Sequence, residues 1–267
     1  MFDTNEELLQ LVELQNEVYR ERGLLFTVDS FKKWYLDNPL GHVLSFNAFD
    51  GDKMVAHYAC IPTKMIFEGT IVTGLHSMAT VTHPDYRGKG LFTTLAKQTI
   101  KLARELDYKY IIGVTNANSF HGFVNCLGFS SITKLDVKIG FGTEISQKED
   151  GMTRKYWDND LFSWRLGCGE HEYTRKGKSL IGRYNMFVQT FIGTFDDELL
   201  RNTSEKSAFL PKLYVGTGAK FGSCYFDVPK FIKHSPFNLI FLDLTDGELP
   251  KITKDNIFFQ LFDFDVA

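Results

Sequence analysis

The run Ala79-Thr-Val-Thr-His-Pro-Asp-Tyr-Arg-Gly-Lys-Gly-Leu-Phe92 holds the densest chemistry in this sequence. An alternating, strand-like segment meets Pro84, passes into Arg87-Gly88-Lys89-Gly90, and continues at once in a helical pattern. A strand, a Gly-rich turn and a helix N-terminus together make an anion site. The first N–H groups of a helix have no internal partner, and the helix dipole favours negative charge there. Glycines let the backbone come close to a diphosphate, and Arg87 and Lys89 add positive charge. The Walker pattern Gly-x-x-x-x-Gly-Lys-Ser/Thr and the dinucleotide fingerprint Gly-x-Gly-x-x-Gly are both absent from residues 84–93.

The elements that must position this turn can be read outward from it. Thr4-x-x-Glu7 is a capping box, with Leu8, Leu11, Val12, Val18 and Tyr19 following at helical spacing. A second helix is expected from Ser30 to Leu36, stopped by Asp37-Asn38-Pro39. Strand-like segments at Val43–Phe49 and Met54–Cys60 flank Asp50-Gly51, and Lys64–Phe67 and Ile71–Thr82 flank Glu68-Gly69. Leu91–Leu106 reads as a helix and Tyr108–Thr115 as a buried strand. A short helix then runs to Leu127, ended by Gly128, and Leu135, Val137, Ile139 and Phe141 alternate as a last strand.

The Pro, aromatic-Arg-Gly-x-Gly and helix sequence, with these flanking segments, resembles the acyl-CoA signature of the GNAT superfamily of N-acyltransferases over about residues 1–142. The resemblance implies an α/β fold with a mixed sheet, in which the strand before the turn splays from a parallel neighbour. The pantetheine arm of acyl-CoA, acetyl-CoA or another short-chain thioester, would lie in that gap like an extra strand. Thr80, Val81 and Thr82 would offer it backbone groups. Arg87, Gly88, Lys89, Gly90, Leu91, Phe92 and Thr93 would surround the diphosphate. Asn116 and Asn118 would make polar contacts to the arm. The family carries Gly or Ala where this chain has Phe92, a departure tolerable if the ring points into the core.

By the same resemblance, His76 sits where some members carry a catalytic histidine, eleven residues before Arg87. An unperturbed imidazole pKa near ~6.5 suits a general base, direct or through water. His57 and Tyr58, on a meander strand, are candidates to edge the acceptor pocket, while His83 reads as a surface or turn residue. Leu127-Gly128-Phe129 is present, but the position where the family often places an acidic Tyr holds Val124. The activity implied is transfer of an acyl group to a small-molecule amine, a nucleotide-linked amino sugar being one acceptor class. The alternative is a catalytically silent acyl-CoA-binding sensor or scaffold.

Residues 143–155 are polar and read as a linker, leaving 156–267 as a second, smaller α/β domain that shapes the acceptor pocket. Strands are expected there at Ser179–Val188, Lys212–Gly216, Leu239–Leu244 and Ile257–Val266, and helices at Asp160–Leu166 and Asp196–Arg201. Trp34 and Leu36 recur as Trp164 and Leu166 at an offset of 130, a faint sign of a second, degenerate GNAT-like half. Phe231, Phe237, Phe241, Phe258, Phe259, Phe262 and Phe264 need a large apolar partner, so this part should pack on the first.

The 267 residues carry a net charge of −3, which argues against a broad nucleic-acid or anionic-membrane surface. No apolar run reaches the ~18 residues of a membrane span, and the start lacks the pattern of a signal peptide. Four widely spaced cysteines read as reduced and mostly buried thiols of a cytoplasmic protein, and seven scattered histidines suggest no metal.

Overall fold

The computed structural model describes residues 5–20, 25–142, 145–148, 150–168, 172–183, 185–205, 209–222, 224–229 and 235–264. Thr4 of the expected capping box lies outside them, and its helix is α1 (Asn5–Tyr19). Helix α2 (Val28–Tyr35) begins two residues earlier than expected, because Thr27 and Ser30 cap each other: each side-chain oxygen accepts the other's backbone N–H, at 3.1 and 3.2 Å. The meander follows as β1 (Leu44–Asp50), β2 (Lys53–Phe67) and β3 (Thr70–Thr82).

The two segments expected on either side of Pro62 form one strand, β2, because Pro62 sits where its missing N–H costs nothing. Strand β1 covers β2 only as far as Cys60, and the next neighbour on that edge starts at Met65. In the uncovered stretch the Pro62 carbonyl accepts Asn38 Nδ2 at 3.0 Å. Its backbone polar groups therefore face this edge, away from β3.

Beyond the turn, α3 (Leu91–Glu105) leads to β4 (Tyr110–Thr115), parallel to β3 as expected. Helix α4 (Ala117–His121) widens into a π-turn over Gly122–Cys126, and Gly128, at φ +78°, ends it. Strands β5 (Ser130–Lys134) and β6 (Asp136–Gly140) come next, separated by Leu135 alone.

The segment read as a linker contains β7 (Ile145–Gln147) and β8 (Thr153–Lys155). Helix α5 (Asn159–Gly167), capped by Asp158, precedes β9 (Tyr173–Lys176), β10 (Ser179–Arg183), β11 (Gln189–Thr194) and β12 (Lys212–Thr217). Then come β13 (Ala219–Phe221), β14 (Tyr225–Asp227), β15 (Asn238–Asp243) and β16 (Ile257–Gln260). Asp196–Arg201 forms hydrogen-bonded turns instead of the expected helix.

Hydrogen bonding ties the two parts of the chain together by exchange. The N-terminal strands run β1-β2-β3-β4, and the next neighbour of β4 is not β5 or β6 but β15, antiparallel to both β4 and β5. The C-terminal strands repeat the pattern as β9-β10-β11-β12, with β11 and β12 parallel, and the next neighbour of β12 is β6, antiparallel to both β12 and β14. Each part thus lends one strand to the other, and the last strand expected in the first part, Leu135–Phe141, forms but belongs to the second part's sheet. Strands β8 and β16 join the two sheets between β2 and β12.

Apolar packing follows the same seam. Leu75, Ala96, Ile111 and Ile240 form a core under α3, and Leu8, Leu11, Phe31 and Met78 form one under α1 and α2. A third core mixes both parts: Met65, Phe67, Tyr110 and Ile112 pack with Phe241, Phe259 and Phe264. Phe237, Phe241, Phe259 and Phe264 thus find their apolar partner in the first part's sheet, whereas Phe258 and Phe262 pack within the C-terminal part, against Phe191 and Tyr214 and against Phe162 and Phe195; Phe231 lies outside the described residues. Helices α2 and α5 meet through the two matched tryptophans, Trp34 and Trp164, whose rings stand edge to face at 5.4 Å. No helix among the described residues is long and apolar enough to cross a membrane.

A fragment ending at Gly142 loses β15 and exposes the apolar β4 edge, while its β6 has no sheet to join. It should be insoluble or should lack cooperative unfolding, as sedimentation and thermal denaturation would reveal. In the full chain, Ile240→Ala, fully buried beside β4, should cost about 2–4 kcal/mol in urea denaturation.

Candidate active site

The turn before α3 is built as its residue types dictate. Pro84–Tyr86 forms one 3-10 turn, and Gly88 and Gly90 both adopt φ +75°, a region that favours glycine. A Cβ at either position would meet nothing within 4 Å, so the requirement is conformational and the surface outside is open. Gly90 caps α3 without a side chain, and among the described residues no backbone partner takes the amides of Gly88, Lys89 or Gly90. With the first amides of α3, at Leu91, Phe92 and Thr93, they form a run of donors at the positive end of a fifteen-residue helix.

Side chains fix the turn to the sheet. Arg87 Nε donates to the Thr82 carbonyl at 3.3 Å, and the Lys89 ammonium lies 4.4 Å from the centre of the Tyr86 ring. Tyr86 donates to the Asp50 carboxylate, a bond that raises the phenol pKa. His83 is a turn residue, capping Pro84–Tyr86 by accepting the Asp85 N–H at 3.3 Å, but it is buried and not at the surface, and it bonds Glu17 at 2.9 Å. That bond and one from Lys53 lower the Glu17 pKa.

Beside the turn, β3 and β4 part. They pair at Leu75 with Ile111, His76 with Ile112 and Ser77 with Gly113, and no further. Gly113 allows the last contact, because a Cβ there would stand 3.2 Å from Ser77 Cβ. Past that pair β3 bulges: two residues, Ala79 and Thr80, oppose Tyr58 of β2, with Ala79 at φ +51° and its carbonyl taken by Gln15 Nε2 at 3.0 Å. His83 N bonds Val55 O, so alternation along the strand aims the backbone polar groups of Val81 at β2 and those of Thr80 and Thr82 at the gap. The Val81 backbone thus faces β2 opposite His57, and its side chain packs in the core under α1 and α2.

His76 occupies the second rung before the gap, fully buried, on the sheet face away from α3. It borders a narrow cleft with free volume of about 10 Å³, room for about one water. The other walls come from Trp34 on α2, Trp157, Trp164 and Arg165 on or near α5, and Asp263 beyond β16; all three tryptophans of the chain meet here. Burial raises the Asp263 pKa, opposed by Lys155 and by hydrogen bonds from Gln260 N and Trp157 Nε1.

The remaining candidates lie around these two features. His57 is buried between Tyr35 Oη at 2.9 Å and Asn47 Oδ1 at 2.7 Å, which places the proton on Nδ1 and the acceptor at Nε2. Tyr58 is buried under α3 against Phe92 and Phe123, and burial holds its phenol pKa well above the usual value. Neither edges an open pocket. Asn116 caps α4, accepting the N–H groups of Asn118 and Ser119 at 2.9 and 3.1 Å, and Asn118 is exposed at the mouth of β4. The Phe92 ring does point into the core, 5.0 Å from the Phe123 ring. A residue missed in the sequence makes this possible: a Cβ at Gly122 would fall 2.6 Å from the Phe92 ring. No disulfide is present among the described residues, and Cys126 and Cys224 are exposed instead of buried. No group of metal-ligating side chains occurs among the described residues.

Residues 4–122 match the family model described as an acetyltransferase (GNAT) domain. No protein of curated function matches the sequence. Among solved structures, a protein from Enterococcus faecalis, described as a "Probable N-Acyltransferase", is 8% identical with TM-score 0.60, covering 90% of this chain and 71% of its own. A GCN5-related N-acetyltransferase from Kribbella flavida is 11% identical with TM-score 0.57, covering 92% and 72%. One from Anabaena variabilis is 10% identical with TM-score 0.51, covering 90% and 71%. At these identities the likeness is one of fold.

Burial lowers the His57 pKa to about 3, below its ordinary 6.5. The unfolded chain then binds a proton that the folded chain refuses, so this histidine removes stability as pH falls from about 6.5 towards 3. The loss approaches about 1.4 kcal/mol per pH unit inside that window and vanishes above it. Urea midpoints measured from pH 7.5 to 4 should show this acid limb, and His57→Gln should flatten it while lowering stability at pH 7.5.

Proposed function

From the match of residues 4–122 to the acetyltransferase (GNAT) domain model, we propose that the chain transfers a short acyl group from acyl-CoA to a primary amine of a small molecule. One observation carries this reading: a turn with free amides and two cations stands beside a gap between parallel strands. A diphosphate suits the first, and an extended, hydrogen-bonding arm suits the second. The thioester is the acyl donor. The chain's part is to hold it, orient it and handle protons. The donor amides of Gly88–Thr93 hold the diphosphate, and the backbone of Thr80 and Thr82 pairs with the arm as a strand would.

The acceptor amine must lose its ammonium proton before attack. His76 takes it through one water, since its cleft has room for little more. The thiolate that leaves needs no strong acid, because a thiol of pKa ~8.5 departs readily near neutral pH. That agrees with Val124 at the position of the family's Tyr. A nucleotide-linked amino sugar is the acceptor class to try first, within a panel that includes aminoglycosides, polyamines and peptide N-termini.

Gly90→Asp puts a carboxylate where amides face phosphate; the side chain meets open space and aspartate is among the few residues that adopt a positive φ, so the variant should fold at a modest cost in stability. Calorimetry should show CoA affinity weakened at least 100-fold; unchanged affinity would sink the assignment of the turn. Thiol release from acetyl-CoA over the amine panel tests the chemistry, and binding without release from any amine would favour a silent sensor.

If His76 is the base, His76→Ala should lower kcat by about 10²–10⁴-fold with little change in the acyl-CoA KM. The acidic limb of its pH–rate profile should flatten. His76→Asn keeps a polar side chain but cannot accept a proton near pH 7. Activity near wild type in both variants would make His76 a packed strand residue only.

A further inference from the structure

The C-terminal part repeats more than a strand order. Strands β11 and β12 run parallel through three pairs, Gln189 with Lys212, Thr190 with Leu213 and Phe191 with Tyr214, and then separate, as β3 and β4 do after three. The β10–β11 register slips by one residue at Ile192, just past the last parallel pair, where β3 also bulges just past its own. The framework that makes one gap has therefore been built twice in this chain.

The second gap is filled from within. Strand β16 lies on the edge of β12 that β11 abandons, pairing Gln260 with Gly216 and Phe259 with Thr217; the opposite edge of β12 belongs to β6. The β11 side is closed by the Gln260 carboxamide, whose Oε1 accepts Thr194 N at 2.9 Å and whose Nε2 donates to Thr194 O at 3.5 Å. Those are the two bonds an added strand would make.

Three glycines clear the way. A Cβ at Gly193 would stand 2.8 Å from Gln260 Cδ, one at Gly216 2.5 Å from Phe259 O, and one at Gly218 2.1 Å from Ile257 O. The strand is then locked. Asp263 Oδ2 accepts Gln260 N at 2.8 Å, and Arg165 donates to the carbonyls of Phe262 and Phe264 at 3.2 and 2.9 Å. Between β11 and β12 the described residues hold turns and no helix, so nothing there matches the donor run before α3.

We infer that the C-terminal part is a second acyl-CoA framework whose cofactor gap is permanently occupied by the chain's own strand Ile257–Gln260, so that each chain takes one acyl-CoA, in the N-terminal gap. This rests on the acyl-CoA reading of that gap. The filling strand also serves the first site, because its continuation, Phe262–Phe264, walls the His76 cleft.

The test is the number of CoA molecules bound per full-length chain, by calorimetry and native mass spectrometry. The expected result is one, abolished by Gly90→Asp. Two per chain, with one surviving Gly90→Asp, would overturn the inference while leaving the N-terminal site standing. One that survives Gly90→Asp would overturn it as well, and none on the wild type would sink the acyl-CoA reading together with it. As a second measurement, Gly216→Ala drives a methyl into the filling strand. It should lower Tm by roughly 2–10 °C without changing the CoA count. An unchanged Tm would mean that β16 does not fit closely into the gap.

Discussion

Strands β6 and β15 each complete the sheet of the part they do not come from, and most of the architecture depends on that reciprocity. An isolated edge on β4 would present Tyr110, Ile111 and Ile112, all fully buried here, and unpaired backbone groups. Pairing with β15 from Asn238 to Asp243 covers that edge along its whole length. The edge of β12 is covered by β6 from Asp136 to Gly140 in the same way. Neither part can leave the other without stripping a strand from its sheet, so the contact between them is part of each fold instead of a surface laid against a surface.

This constraint reaches the gap. A parting of β3 and β4 needs something to hold β4 from the far side, or the two strands would close on each other to recover their hydrogen bonds. Strand β15 supplies that hold. From the other direction, the bulge at Ala79, its carbonyl held by Gln15, keeps β3 bent away. The turn is anchored through His83 to Glu17 on α1 and through Tyr86 to Asp50 on β1. Helix α1 thus holds both, the gap through Gln15 and the turn through Glu17, while β15 and β1 each serve one of them.

The locally determined features were readable in the sequence. Gly88 and Gly90 take the positive φ that a tight turn demands, and the Leu91 helix begins where its apolar stripe begins. Pro62 misled, because a proline interrupts a strand pattern unless its edge is uncovered, and only the extents of β1 and β8 reveal that. Leu135, Val137, Ile139 and Phe141 gave the right strand but not its partner, since period-two alternation records faces and not neighbours. Phe92 could be read as a departure but not reconciled, because Gly122, which makes room for its ring, lies thirty positions away. His57 carries the residue type of a site, yet its two bonds, to Tyr35 and Asn47, are tertiary. The tryptophans at an offset of 130 could be matched in the sequence, but not their meeting, which the packing of α2 on α5 brings about.

The single residue Leu135, between β5 and β6, sets a schedule for synthesis. As the chain leaves the ribosome, β6 emerges directly after β5 but must wait for β12, whose Val215 pairs with Val137. Strand β4 waits longer, since Gly113 pairs with Ile240, 127 residues further on. Until residue 243 has been made, the first sheet is not whole, and the apolar edge of β4 stands open for the whole interval. Pairings of such long sequence separation also slow folding after release, because chain closure comes before any stabilising contact. A protein joined in this way trades early independence of its first domain for a finished state in which no domain can swing loose.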